Sequence, residues 1–170
     1  MLAEAALKRL RLDQVWLLVS PGNPLKPRAG MKPLARRLAS AQAVTPHRQI
    51  IATAIEARLH TIYTADTLRR LQAAFPRARF VWILGADNLR QLPRWHDWRG
   101  IMRRIPVVVF PRPGVAGIAL AAQAAQRFRH ARLPARSAPV LVQTPPPAWI
   151  FLPIGEDPVS STAIRDRYVW

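Results

Sequence analysis

Cysteine is absent from the 170 residues, so the chain has no disulfide framework, no thiolate nucleophile and no cysteine-ligated zinc. Histidine is scarce: His47, His60, His96 and His130 are scattered, with no i,i+4 or HExxH spacing, which argues against a protein-held transition metal. No apolar run approaches the roughly 20 residues of a membrane helix. Met1-Leu2-Ala3-Glu4 opens no secretory signal pattern, because no basic stretch precedes a long apolar one. The expectation is a cytoplasmic protein with no membrane partner. Acids are few, nine against 26 Lys plus Arg, and all but three of the bases are Arg. A surface of that sign attracts polyanions, whether a phosphorylated small molecule or a nucleic acid, and charge by itself does not choose between them. The arginines form no block of five or six, so a merely solvated basic surface stays open as the ordinary reading.

What is present is enough apolar material for a core. Half of the residues are hydrophobic, and the length suits one domain spanning 1–170. No internal repeat is visible. Apolar residues at helical spacing predict a helix over 3–10, and QVWLLV at 14–19 is a short continuous apolar run, as in a strand covered on both faces. "SPGNPLKPRAG" then reads as a loop dense in Pro and Gly. A helix follows over 34–44, a second strand at 49–55 (QIIATAI), and a helix over 64–75 with Thr64 as its cap. A third strand covers 79–84, a fourth 106–110 (PVVVF) and a fifth, short one 149–152, with an Ala-rich helix over 118–129 between the last two. The segment 133–148, "LPARSAPVLVQTPPPA", is too proline-rich for a core element and reads as a surface excursion. Strands alternating with helices at this spacing predict a Rossmann-like α/β fold, a parallel sheet with helices on both faces.

In such a sheet ligands sit beyond the carboxyl ends of the strands. The loop after the first strand offers Asn23 and Lys26. "HTIYTADTL" brings backbone N–H groups at a helix start near Thr64, suited to a carboxylate or phosphate. After the third strand come Gly85, Asp87 and Trp95, and "VSSTAIRDR" puts three hydroxyl residues at a helix start with Arg165 one turn in. Each has an ordinary alternative. Asn23 and Lys26 suit a turn, Thr64 and the Ser-Ser-Thr run suit plain caps, Asp87 suits a cap after Gly85, and Trp95 and Trp98 suit one core-facing stripe. Pro93 favours a helix start that turns Trp95 toward the loop and leaves Trp98 to the core. The functional case rests on the set.

"SPGNPLKP", "IEARLHTIYTADTLRRL", "FVWILGADNLRQLPRWHDW", "VVVFPRPG" and "SSTAIRDR" occur here in the order found in the bacterial nicotinate-nucleotide adenylyltransferases, which the chain resembles over 3–167. The resemblance implies a nucleotidyltransferase of NAD biosynthesis. Such an enzyme joins nicotinate mononucleotide to the AMP portion of ATP, releases pyrophosphate and forms deamido-NAD, with Mg2+ on the triphosphate. It also implies roles. Trp95 stacks on the pyridine ring, backbone N–H groups around Thr64 and His96 take the nicotinate carboxylate with Tyr63 in the same substrate-binding set, and Asp87 accepts from ribose hydroxyls. Asn23 and Lys26 face the mononucleotide phosphate, while Gly85, Ser161, Thr162 and Arg165 serve ATP.

One part of the family pattern has no counterpart. The family opens with a central strand and a G-G-[ST]-F-[DN]-P-x-H-x-G-H loop, whose glycines approach the triphosphate and whose histidines steady the phosphates during transfer. Met1 falls about where the residue after the second of those histidines lies, and none of the four histidines present sits in a Gly-rich strand-to-helix turn. No catalytic residue of that motif is therefore assigned. The loss of a first strand is expected to leave unpaired backbone groups and exposed apolar faces. Two explanations are open: a late start at an internal Met of a longer, active protein, which the intact remainder favours, or a gene without its first strand and a weakened or dead product; this polypeptide itself is expected to bind the mononucleotide but transfer nothing. Past the S-S-T-x-I-R motif, where many relatives carry a further helical tail, the chain ends at Trp170, which bears on how Arg165 is anchored. The competing class is a nucleic-acid-binding module without catalysis. Against it, the tryptophans fall at strand ends rather than among the basic residues, and no RNP, KH or helix-turn-helix pattern occurs.

Overall fold

The alternation of apolar runs and amphipathic stretches becomes alternating strands and helices in the computed structural model, which describes residues 2–22, 31–45, 47–111 and 116–153. In chain order these are α1 (Leu2–Arg9), β1 (Val15–Leu18), α2 (Leu34–Ala43), β2 (Ile50–Thr53), α3 (Ile55–Arg58), α4 (Thr64–Ala74), β3 (Trp82–Gly85) and α5 (Ala86–Gln91). They are followed by α6 (Trp98–Arg104), β4 (Val107–Phe110), α7 (Ala116–Leu120), α8 (Gln123–Arg127), β5 (Arg132–Leu133) and β6 (Trp149–Phe151). Short 3-10 segments lie at Leu92–Arg94, Arg129–Ala131 and Ala135–Gln143.

Every described strand pair is parallel. β1 pairs with β2 from Val15↔Ile50 to Leu18↔Thr53, and a second sheet runs β3-β4-β6-β5. Its centre shows why PVVVF reads as uninterrupted apolar sequence: β4 lies between β3 and β6, and all four of its residues are buried. Alternate side chains serve opposite faces. Val107, Val109, Trp149 and Phe151 join Leu68, Leu89, Ile101 and Phe128 on one side, while Val108, Phe110 and Ile150 join Ala6 and Leu10 of the α1 region on the other. Each fully buried side chain of this size contributes about 1.5–3 kcal/mol. Trp149 also satisfies its indole nitrogen by donating to the Phe128 carbonyl at 2.8 Å. The expected parallel α/β arrangement with helices on both faces is what the packing shows.

Among the described residues β1 pairs only with β2, and β3 only with β4. Between the two strands lies a cleft of about 780 Å³, lined by Val15, Leu17, Phe80, Val81 and Ile83 among others. Trp16, also in the lining, makes edge-to-face contacts to Phe75 at 5.5 Å and Phe80 at 6.4 Å.

Three expectations need correction. The helix expected over 118–129 is broken, because Ala122 is extended (φ −64, ψ 150) and restarts the chain as α8. The segment 133–148 is not a surface excursion: Leu133 pairs with Ile150 in the sheet, and Ala138, Leu141 and Ala148 are buried in the core. Thr64 is not the cap of α4. Tyr63 holds that position in extended conformation, and it makes no side-chain capping bond.

Candidate functional site

Segments that follow β1, β2 and α5, together with Trp82 of β3, line a pocket of about 230 Å³. Gly22 comes from the loop after β1, Tyr63 and Thr64 from the start of α4, and Arg94, Trp95 and His96 from the turn that precedes α6. The first loop is tied by a side chain that the sequence pattern does not mark. Arg37 on α2 donates through Nη1 to the Ser20 carbonyl at 2.7 Å and through Nε to the Lys32 carbonyl at 3.0 Å, clamping the two ends of the Pro-rich loop.

Local chemistry aims the aromatic turn. Pro93 lies within the 3-10 segment Leu92–Arg94, and the Trp95 N–H closes that turn on the Leu92 carbonyl at 2.9 Å. Asp97 then adopts a left-handed conformation (φ 43) and caps α6, its carboxylate accepting from the Gly100 N–H at 3.1 Å. That reversal separates the two tryptophans. Trp95 is half-buried and lines the pocket, whereas Trp98 packs edge-on against Phe128 at 5.9 Å. In the same lining, the Tyr63 and His96 rings lie 4.7 Å apart with an interplanar angle of 39°.

The first turn of α4 has no side-chain cap, so its leading N–H groups are available to an anion at the pocket. Behind them lies a buried polar cluster. The Thr61 and Thr67 hydroxyls are 2.8 Å apart, and the Thr67 hydroxyl reaches both Glu56 Oε1 at 3.2 Å and the Tyr63 carbonyl at 3.1 Å. Glu56 is 6% exposed and lines the pocket, as does Trp82. Sequence reasoning missed Glu56, Trp82, Arg37 and Arg94; the only sequence signal for Glu56 is an acid directly after an apolar run in a chain poor in acids.

Of the residues singled out from the sequence, Tyr63, Thr64, Trp95 and His96 come together in one pocket. Gly85 and Asp87 stand beside each other at the end of β3 and are not part of that lining; Gly85 borders the larger cleft instead. A Cβ at Gly85 would come within 2.5 Å of Asp87 Oδ1, so glycine is needed there for the close approach of the carboxylate. Asp87 does not cap α5, whose N-cap is Gly85. Asn23, Lys26, Ser161, Thr162 and Arg165 lie outside the described residues. Among the described residues no group of three or more His, Asp or Glu is placed to hold a metal ion, and no helix is long and apolar enough to cross a membrane. The site can thus offer an aromatic face, uncapped helix amides and one cationic side chain, Arg94, to a planar, anionic ligand.

The profile of the cytidylyltransferase-like family matches residues 1–167. A probable nicotinate-nucleotide adenylyltransferase of Gluconobacter oxydans is 49% identical over 166 residues, which cover 98% of this chain and 85% of that protein. The protein of the same name in Gluconacetobacter diazotrophicus is 51% identical over 96% of this chain and 76% of its own length. A third, from Brucella abortus, is 44% identical over 97% of this chain and 85% of its own.

Proposed function

The chain belongs to the cytidylyltransferase-like family, among its nicotinate-nucleotide adenylyltransferases, and on that footing we propose that it is a cytoplasmic, single-domain nucleotidyltransferase of NAD biosynthesis. Its reaction joins nicotinate mononucleotide to the adenylyl group of ATP. The mononucleotide phosphate oxygen attacks the α-phosphorus in line, the bond to the bridging oxygen breaks, and pyrophosphate leaves with that oxygen. Magnesium enters with ATP as part of the substrate, bound by its phosphate oxygens.

The observation that carries the reading is the meeting of Tyr63, Thr64, Trp95 and His96 in one pocket. The half-buried Trp95 ring stacks on the pyridine. The uncapped amides at the start of α4, with the backbone near His96, take the ring carboxylate, which the corresponding carboxamide matches less well. Asp87 accepts from ribose hydroxyls, and Asn23 and Lys26 serve the mononucleotide phosphate. Gly85, Ser161, Thr162 and Arg165 serve ATP. In a reaction of this kind the protein chiefly positions the reactants and neutralises charge. Nothing in the pocket or among the relatives favours a nucleic-acid-binding module.

The test is equilibrium binding. Nicotinate mononucleotide is expected to bind saturably and more tightly than nicotinamide mononucleotide. Salt-sensitive binding of unrelated oligonucleotides with no saturable mononucleotide binding contradicts the reading.

A further inference from the structure

Glu56 is a buried acid that the proposed chemistry leaves without a task. It sits on α3, one residue after Ile55 opens that short helix, and is 6% exposed. Glu56, Thr61 and Thr67 are three of the four buried polar or charged side chains among the described residues, and they form one cluster directly behind the start of α4. The fourth, Thr45, bonds back to the preceding helix, to the Ala41 carbonyl at 2.8 Å and the Gln42 carbonyl at 3.4 Å.

Stability alone does not explain the carboxylate. Oε1 accepts from Thr67 at 3.2 Å, but Oε2 is buried and has no hydrogen-bond partner among the described residues. A buried acid left half satisfied is destabilising relative to an apolar group of the same shape. What the cluster does hold in place is the segment 61–64. The Thr61 N–H donates to the Glu56 carbonyl at 3.0 Å, the Thr61 hydroxyl meets the Thr67 hydroxyl at 2.8 Å, and the single Thr67 hydroxyl proton is shared between the Glu56 carboxylate at 3.2 Å and the Tyr63 carbonyl at 3.1 Å. These contacts join α3, the 61–64 turn and the second turn of α4 into one unit. The Tyr63 ring and the leading amides of α4 both depend on that turn for their direction.

We propose that Glu56 is a positioning residue of the mononucleotide pocket: acting through Thr67, it fixes the 61–64 turn so that Tyr63 and the α4 amides face Trp95 and His96. This rests on the assignment of that pocket to the mononucleotide. In this role the carboxylate does not itself act on a reacting atom. Its effect is on the placement of groups that do contact the ligand, and displacements of about 1 Å in such groups can cost up to about 100-fold.

Titration calorimetry of nicotinate mononucleotide and of MgATP, on the whole chain and two variants, tests this. In Glu56→Met/Thr67→Val both polar partners become apolar groups of similar size, a change that leaves no orphaned charge. The double variant is expected to stay folded, with the Thr61 hydroxyl left to its 3.5 Å bond to the Glu56 carbonyl, to bind mononucleotide at least about 10-fold more weakly, and to bind MgATP within about 2-fold of the parent. Glu56→Gln keeps an oxygen for Thr67 and removes the charge, so it is expected to bind mononucleotide within about 3-fold of the parent. Unchanged mononucleotide affinity in a folded double variant overturns the proposal, and so does a loss of about 10-fold or more in Glu56→Gln, which makes the charge itself the ligand contact. A double variant that does not fold assigns the cluster to stability and also overturns it. Absence of mononucleotide binding by the parent chain removes the pocket assignment and this proposal with it, an outcome distinct from normal parental binding with an unaffected double variant.

Discussion

The rings of Tyr63 and His96 lie 4.7 Å apart, inclined by 39°, and they join the start of α4 to the turn before α6 across the mouth of the pocket. Tyr63 is 38% exposed even so, which leaves its ring able to adjust to a ligand. Removing either ring loosens one wall of the site without opening the core. His96→Ala is expected to weaken mononucleotide binding by about 3- to 10-fold, in line with the roughly 0.5–1.5 kcal/mol of an aromatic pair. The change in thermal midpoint should be small, and calorimetric titration beside a melting curve checks both.

Asp97 holds a left-handed conformation and caps α6, so its substitutions separate conformational from capping effects. Asp97→Asn keeps both and should be nearly neutral. Asp97→Ala loses the bond to the Gly100 N–H and keeps a Cβ at φ 43, and it should destabilise by about 1–2 kcal/mol, more than Asp97→Gly. Urea unfolding of the three variants gives the order.

Gly85 leaves room for Asp87 Oδ1, which lies 2.5 Å from where a Cβ would be. Because the end of a short side chain can swing aside, Gly85→Ala should cost less than about 1–3 kcal/mol in stability. It should nonetheless displace the Asp87 carboxylate and weaken nucleotide binding as Asp87→Ala does. Affinity that matches the parent chain in Gly85→Ala, beside a clear loss in Asp87→Ala, argues against this coupling.

Leu141 is fully buried, in a segment whose proline content suggests a surface loop. Leu141→Ala should destabilise the chain by about 2–5 kcal/mol, as a large-to-small change in a packed core does. An unfolding midpoint unchanged from the parent chain contradicts the packing described for 133–148.

Five of the six described strands were legible as short apolar runs, most plainly Val107–Phe110, which is covered on both faces; the two-residue β5 at Arg132–Leu133 was not. The 133–148 segment was not. Proline is a poor guest of an α-helix, but the chain here takes a 3-10 path, in which Ala138 and Leu141, three residues apart, fall on one side and both reach the core. At 118–129, propensity favoured one helix and packing broke it. The extended Ala122 brings Ala119, Ala124, Ala125 and Phe128 into a single cluster. In the site, the turn from Pro93 to Trp98 could be read locally, since its geometry is set by neighbouring residues. Glu56 could not, because the partner that makes it a buried acid, Thr67, is 11 residues away.

The central claim, that the pocket beside Trp95 holds nicotinate mononucleotide, is tested most directly by titrating that nucleotide into the parent chain and into Trp95→Ala. The parent chain should bind saturably, and Trp95→Ala should lose roughly 10-fold or more in affinity, the order expected for removing a stacking aromatic from a base-like ring, while MgATP binding stays largely as it was. Equal mononucleotide affinity in the two proteins would contradict the claim.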